Sequence, residues 1–446
     1  MINIFWFRRD LRLEDNAGLY HALKSGQPVL PLFIFDENIL EDLQDRTDAR
    51  VSFIHQTISE LHQQLEKLGS SIIVKYGKPE EVWKDLIQEY NIEKVFTNRD
   101  YEPYGKERDT EIKSFLATNK IEFHGFKDQI VFEASEVLKK DGTPYMVFSP
   151  YARKWRARLE TKMVTDENGQ TYSYYFQSYP NEKYSENYYK TAPLPLIELS
   201  AMNFEPSSIP IPSKVVAQGI IRKYDETRNF PGNEKSTSKL GIHFRFGTIS
   251  IREKARKAQP LNDTYLSELI WRDFYSMILH SFPHVVQNAF RAKYDRIPWR
   301  ESESDLEKWK KGKTGYPIVD AGMRELNATG YMHNRVRMLT ASFLTKHLLL
   351  NWRLGEAYFA EKLLDFDLAS NSGGWQWASG SGTDAAPYFR IFNPTSQMKK
   401  FDKDLKYIKK WIPEYETSRY PEPMVEHKFA RERCLTTYKA ALSQES

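Results

Sequence analysis

The stretch "NIFWFRRDLRLEDN", Asn3 to Asn16, sets four consecutive apolar side chains, Ile4 to Phe7, against two arginines and an aspartate. A run that short suits a strand and falls well below the length of a membrane span. Further runs repeat the pattern: "VLPLFIF" (Val29–Phe35), "SIIVKYG" (Ser71–Gly77), "KVFTNR" (Lys94–Arg99) and "IEFHGF" (Ile121–Phe126). Turn residues bound each run, and helical patterns lie between them. In the best of these, Phe53, Ile54, Thr57, Ile58, Leu61, Leu65 and Leu68 share one face. Strand–helix alternation of this kind predicts a doubly wound parallel sheet. No G-x-G-x-x-G follows the first strand, so the usual dinucleotide fingerprint is missing.

Downstream the texture changes. From about Val164 to Ser213 the chain is rich in Tyr and Pro, without helical period or strand alternation, and reads as a connector packed along the surface. From Lys214 onward nearly every segment has helical spacing with Gly or Pro stops, as in "VVAQGIIRKYDE", "TYLSELIWRDFYSMILHSF" and "PIVDAGMREL". The expected organisation is an α/β doubly wound parallel-sheet domain over 1–130, a connector over 131–213 and an all-α domain over 214–446.

With 446 residues, the chain is long enough for two or three domains. Its net charge of +4 permits a local nucleic-acid patch without demanding one. The single cysteine, Cys434, excludes an internal disulfide framework and a thiolate metal cluster. Arg8, Arg9 and Asp10 follow the first apolar run so closely that a signal peptide or anchor is not expected, and a cytoplasmic location is. Aromatic residues reach 14 %, and seven of the ten Trp fall at or after Trp271. Such a half suits a large core, a stacking surface for bases or a planar cofactor.

Several clusters in the helical half are candidates for chemistry. Glu268, Trp271 and Arg272 share a helical face, at i, i+3 and i+4, which also describes an exposed ion pair with a stray Trp. Asn334, Arg337 and Met338 form a polar stripe that is either a rim or a pocket wall. Asp365, Asp367 and Asn371 crowd the approach to "NSGGWQWASG", read as a loop of small residues carrying Trp375 and Trp377. Ser236 to Gly241, "STSKLG", suits phosphate oxygens or a helix cap equally. His280 and His284 stand four apart, but Pro283 lies between them and no carboxylate completes a set, so no metal site is expected.

Taken in order, "WFRRDLRLEDN" and the stretch "KTGYPIVDAGMRELNATGYMHNRVRMLTASFLTKHLLLNWRLGEAYFAEKLLDFDLASNSGGWQWASGSGTDAAPYFRIFNP" closely resemble the photolyase/cryptochrome family, in particular the bacterial class I cyclobutane pyrimidine dimer photolyases. The resemblance covers essentially the whole chain and is densest from Tyr224 to Pro394. It implies an α/β domain, a long linker and a helical domain binding FAD, active as FADH⁻. On that resemblance Tyr224, Thr237, Ser238, Lys239, Leu240 and Gly241 hold the FAD phosphates and neighbouring atoms. Arg272, Arg337, Asp365, Phe366 and Asp367 surround the flavin, and Asn371 faces its N5. Glu268, Trp271, Asn334, Met338 and Trp377 line the cavity for a flipped dimer, while Arg228 and Arg335 join them as DNA contacts. Trp375, Trp352 and Trp299 form an electron path from flavin to surface.

The activity implied is a carbon–carbon lyase that repairs cyclobutane dimers in DNA, single- or double-stranded, by light-driven electron transfer. A monomer is expected, nucleoid-associated when bound to DNA and without a membrane partner. Rival readings are a cryptochrome-like blue-light photoreceptor and repair of the (6-4) photoproduct. Asn371 stands where plant cryptochromes carry Asp and animal ones Cys, and the (6-4) branch has a His pair where this chain reads His333-Asn334. Tyr104 and Gly105 replace the Asn and Glu expected for a folate antenna. A second chromophore is therefore left open, with a deazaflavin or another flavin favoured over folate.

Overall fold

The computed structural model describes residues 1–443, which fall into two compact units. The first comprises Met1–Glu136, Trp155–Lys214 and Leu240–Gln259, and the second Val137–Lys154, Val215–Lys239 and the described residues from Pro260 onward.

In the first unit β1 (Ile2–Phe7), β2 (Val29–Asp36), β3 (Ile73–Gly77), β4 (Ile92–Asn98) and β5 (Glu122–Phe126) form one sheet of order β3-β2-β1-β4-β5. Every pairing is parallel, as the alternation predicts. The period of two decides which core each β1 residue enters. Phe5 and Phe7 join a cluster with Leu19 of α1 (Ala17–Leu23) and Ile58 and Leu61 of α2 (Ala49–Lys67). Ile4 and Trp6 point the other way, onto Trp83 of α3 (Pro79–Glu89) and Leu116 of α4 (Pro103–Thr118). Both faces are therefore covered, which is why the strands carry continuous apolar runs. The predicted face of α2 is the buried one, except that Ile54 is half-buried and Leu68 lies past the helix end and is exposed.

The strand order reverses between β1 and β4, where a doubly wound sheet opens a crevice at its carboxyl ends. Here the residues after those strands are ion-paired: Arg9 with Asp100 at 3.3 Å and with Glu102 at 3.0 Å, and Arg8 with Asp109. The stretch read as strand-free departs from that reading. Met163–Thr165 pairs antiparallel with Thr171–Ser173 around a turn in which Asp166 accepts the N–H groups of Asn168 and Gln170 and Gly169 takes φ +78°. The Asn-Gly pair was a hairpin signal of the ordinary kind. Nor do all its aromatic rings stay at the surface. Tyr188 and Phe176 are buried, and the Tyr189 N–H reaches the Val29 carbonyl at 2.8 Å.

The second unit is helical. It includes α5 (Asp263–Ser281), α6 (Glu303–Lys310), α7 (Pro317–Thr329), α8 (Asn334–Ser342), α9 (Trp352–Lys362), α10 (Leu368–Ser379) and α11 (His427–Ser443). Its main core joins Ile318, Met323, Val336, Leu344, Phe359 and Trp375. No helix among the described residues is long and apolar enough to cross a membrane.

The Gly–Ser stretch expected to be a loop is α10 itself. Asp367 caps its start by accepting the Ser370 N–H at 3.1 Å, and Gly380, at φ +90°, ends it. Each glycine weakens a helix by about 1 kcal/mol relative to Ala, yet packing decides otherwise here. A Cβ on Gly373 would stand 2.3 Å from the Tyr275 ring, so only glycine lets α10 lie this close to α5. Helical geometry also separates the two indoles. Two residues of an α-helix turn the side chain by about 200°, and Trp375 is buried while Trp377 is half-buried.

Candidate active site

Two groups of candidate residues assemble in the helical unit, and a chain of contacts joins them. The first surrounds a cavity of about 220 Å³ lined by Ser236, Thr237, Lys239, Glu325, Tyr331 and His333, with Lys406 and Lys410 also on its wall. The Tyr331 hydroxyl meets Thr237 Oγ1 at 3.0 Å, and the Lys239 ammonium lies 5.1 Å from the Tyr331 ring centroid. Burial pushes the Tyr331 phenol up to about 12, so it stays a neutral donor. Lys239 takes φ +53°, a region that side chains rarely occupy, where the loop turns sharply.

Behind Tyr331, Arg337 donates to Asp365 Oδ2 at 2.9 Å and to the Met332 carbonyl at 2.7 Å. Burial alone would lower the Arg337 guanidinium, but the Asp365 charge overrides it and the net shift is upward. Asp365 Oδ1 is buried with no partner. His333 caps α8 through Nδ1, which accepts the Arg335 N–H at 3.2 Å, so the proton sits on Nε2. That Nε2 is also buried without a partner, and burial together with the nearby cations holds the ring neutral down to about 3. Orphaned buried donors and acceptors beside a cavity call for a ligand that supplies their partners.

Asn371, on the first turns of α10, gives its amide Nδ2 to the Glu356 carbonyl at 3.1 Å and to Glu356 Oε1 at 2.8 Å. Both are acceptors, which fixes the amide orientation and leaves Oδ1 as the acceptor. Burial raises the Glu356 carboxyl even though this bond favours its charge.

The second group lies on α5. Glu268 Oε1 accepts from Arg228 at 2.6 Å, and burial raises the Glu268 carboxyl against the pull of that cation. The guanidinium of Arg228 is 5.2 Å from the Tyr224 ring centroid, Tyr224 meets Tyr265 edge-on at 5.1 Å, and the Tyr265 hydroxyl reaches Ser238 Oγ at 3.1 Å. The contacts thus run unbroken from the serine beside the cavity to the carboxylate beside Trp271. Trp271 stacks on Phe148, with centroids 3.7 Å apart and planes within 4°. Arg272 follows it on α5, half-buried.

The remaining candidates are more dispersed. Asn334 is exposed at the start of α8, and Met338 is half-buried one turn on. Arg335 donates to Asn229 at 2.5 Å and covers the Phe401 ring at 4.6 Å. Phe366 packs against the helical core, and Asp367 is the cap of α10. Leu240 and Gly241 open the short helix Gly241–Phe246 and belong to the first unit. Trp375 meets Phe359 at 5.0 Å and Trp309 at 6.0 Å, both edge-on. Trp352 is buried at the start of α9 under Arg353, and Trp299 meets Tyr438 edge-on at 6.0 Å.

Sequence reasoning missed Phe148, Glu356 and Trp309. Each acts through a partner far along the chain, and no spacing rule marks such pairs. In the first unit, the Tyr104 hydroxyl donates to Asp36 Oδ2 at 2.7 Å, and a Cβ on Gly105 would lie 2.6 Å from Asp100 Cγ.

A cavity lined by hydroxyls and ammonium groups, with the carboxylates of Glu234 and Glu325 also on its wall, can receive a group that both accepts and donates hydrogen bonds. At about 220 Å³ the cavity falls below the roughly 300–1,000 Å³ of small-molecule pockets, so it takes one portion of a dinucleotide. The residues present fit FAD in that sense.

Known proteins agree. Residues 3–168 match the family model of DNA photolyase, and residues 265–419 match that of the FAD binding domain of DNA photolyase. A deoxyribodipyrimidine photo-lyase of Synechococcus is 35 % identical over 99 % of this chain and 98 % of its own. Among solved structures, a bacterial class III photolyase from Agrobacterium tumefaciens superposes with a TM-score of 0.84 at 32 % identity, covering 99 % of this chain and 98 % of that one. An archaeal photolyase from Sulfolobus tokodaii with two FAD molecules gives 0.79 at 32 % identity, over 99 % and 100 % of the two chains. The chain belongs to the DNA photolyase family, and its cofactor is FAD.

Proposed function

We propose that the chain repairs cyclobutane pyrimidine dimers in DNA, driven by light. The observation that carries this reading is the end-to-end match to a deoxyribodipyrimidine photo-lyase at 35 % identity. Bound as FADH⁻, the cofactor supplies the light-excited electron that the dimer takes up and returns once its two cyclobutane bonds have opened.

The protein's own residues bind, orient and keep water out. Thr237, Ser238 and Lys239, with Tyr224, Leu240 and Gly241, hold the phosphate end. Arg337 and Asp365, held together as an ion pair, would stand beside the ring and orient it through their remaining hydrogen-bonding atoms. Arg272, Phe366 and Asp367 complete its surroundings, and Asn371 offers Oδ1 to the ring edge. On the DNA side a dimer leaves the helix cheaply because damage has already weakened its stacking. Trp271 and Trp377 present π surfaces to it, Met338 adds an apolar contact, and Glu268 and Asn334 meet the base edges. Burial raises the Glu268 carboxyl against the pull of Arg228, and its oxygens can accept from a base N–H. Arg228 and Arg335 meet phosphates, and Trp375, Trp352 and Trp299 pass electrons inward when the flavin is oxidised.

The protein acts as a cytoplasmic monomer on single- or double-stranded DNA, nucleoid-associated when bound. Its functional division runs 1–130, 131–213 and 214–446. A second chromophore, where one binds, is a flavin or deazaflavin. Gly105 supports this over a folate, since a longer side chain there meets Asp100 at once. The test is light-dependent repair by the reduced holoenzyme of oligonucleotides carrying either a thymine dimer or a (6-4) photoproduct. Splitting of the dimer alone is expected. Repair of the (6-4) lesion alone, or of neither, overturns the reading, the latter in favour of a photoreceptor.

A further inference from the structure

We propose that Phe148 is a positioning residue for lesion recognition: it stacks on one face of Trp271 and fixes the plane that the indole presents to the flipped pyrimidines. The inference rests on the repair reading above. A centroid separation of 3.7 Å with planes 4° apart is nearly full overlap, closer than the 4.5 Å and more of most aromatic pairs. Phe274 meets both rings edge-on, Trp271 at 5.6 Å and Phe148 at 5.8 Å, so a third ring abuts the stacked pair.

Phe148 is itself held from behind. Its backbone N–H donates to Asp384 Oδ2 at 3.1 Å, and Thr383 Oγ1 donates to the Met146 carbonyl at 2.6 Å. Asp384 takes φ +44°, a conformation that costs free energy in a residue other than glycine. The loop that follows Trp377 on α10 is thereby tied to the residue that braces Trp271 on α5. The carboxylates of Asp384 and Glu268 both bear on the Tyr275 phenol, which burial and these two charges raise, so the loop and the α5 face share one neighbourhood.

Ordinary core packing does not account for the stack. Phe148 is half-buried, and its neighbours Met146 and Val147 are 47 % and 46 % exposed. A brace in such a place adds little to global stability, yet it sets which face of the indole is free. Phe148 covers one face of the indole and Tyr275 stands 5.4 Å from it at a tilt of 33°, so a pyrimidine would meet the part of Trp271 that these rings leave.

The test compares Phe148→Ala and Phe148→Tyr with the unaltered FAD-loaded protein. Affinity is measured for an oligonucleotide carrying a thymine dimer and for its undamaged twin, together with the KM and kcat of repair and the urea midpoint. Phe148→Ala is expected to weaken damaged-DNA binding and raise KM by about tenfold, the scale of one base–aromatic contact. Undamaged affinity, kcat, flavin content and the urea midpoint stay near their original values, and Phe148→Tyr restores the loss. Unchanged damaged-DNA affinity overturns the proposal, as does an equal loss for both oligonucleotides. Tighter lesion binding overturns it too, making Phe148 a gate in place of a brace. Failure of the unaltered protein to repair in light sinks the repair reading itself, whereas repair that ignores Phe148→Ala sinks this inference alone.

Discussion

Replacing Gly373 and Gly374 by Ala, one at a time, tests how α10 is held. The two neighbours share a helix and differ only in what surrounds them. A Cβ at 374 meets nothing within 4 Å, while one at 373 lies 2.3 Å from Cδ1 and 2.4 Å from Cε1 of Tyr275. Ordinary carbon contacts are about 3.5–4.0 Å, so α10 and α5 must part by more than about 1 Å or the ring must leave its place. Overpacking of that kind costs about 1–3 kcal/mol, with the rigid ring favouring the upper end. Against it stands about 1 kcal/mol from replacing a helical glycine by Ala. Gly373→Ala is therefore expected to destabilise by roughly 1–2 kcal/mol, and Gly374→Ala, with propensity alone, to stabilise by roughly 0.5–1 kcal/mol. Urea unfolding followed by tryptophan fluorescence reads both as midpoint shifts of opposite sign at unchanged slope. Shifts of the same sign and size would refute the close approach of α10 to α5 at Gly373.

Three further outcomes are expected. Trp375→Phe slows photoreduction of oxidised flavin and largely spares repair started from FADH⁻; equal losses in the two assays remove Trp375 from the electron path. Trp271→Ala weakens binding of dimer-containing DNA by about 1–3 kcal/mol, the range for base stacking, and leaves undamaged DNA almost unaffected; unchanged affinity takes Trp271 out of the pocket. His333 is held neutral to about 3 from an ordinary 6.5, so the unfolded chain takes up a proton first as pH falls. Its contribution to stability is full above 6.5 and is lost on acidification toward 3. His333→Asn, which keeps a capping acceptor, should flatten the urea midpoint against pH across that window, and an unflattened profile contradicts the assignment.

The parallel sheet was legible because period-two burial on both faces leaves continuous apolar runs such as Ile4–Phe7. Position α10 was not, since glycine propensity pointed to a loop and the deciding contact, Gly373 on Tyr275, lies about a hundred residues away. The site divides the same way. Helical spacing put Glu268 beside Trp271, and turn chemistry singled out Ser236 to Gly241. No local rule pairs Glu268 with Arg228, 40 residues upstream, or Arg337 with Asp365, 28 downstream. Those pairings, like the Phe148–Trp271 stack, exist only once the helices are assembled, and the family resemblance supplied roles that spacing alone left open.

The most direct test of the account is a single-turnover repair measurement. The protein is loaded with FAD, reduced, mixed in excess with a thymine-dimer oligonucleotide and illuminated in near-UV or blue light, with a dark sample beside it. Loss of dimers in the light, none in the dark, and recovery of the reduced flavin unchanged are the predicted result. Dimers that persist in the light while FAD is bound and photoreducible would contradict it.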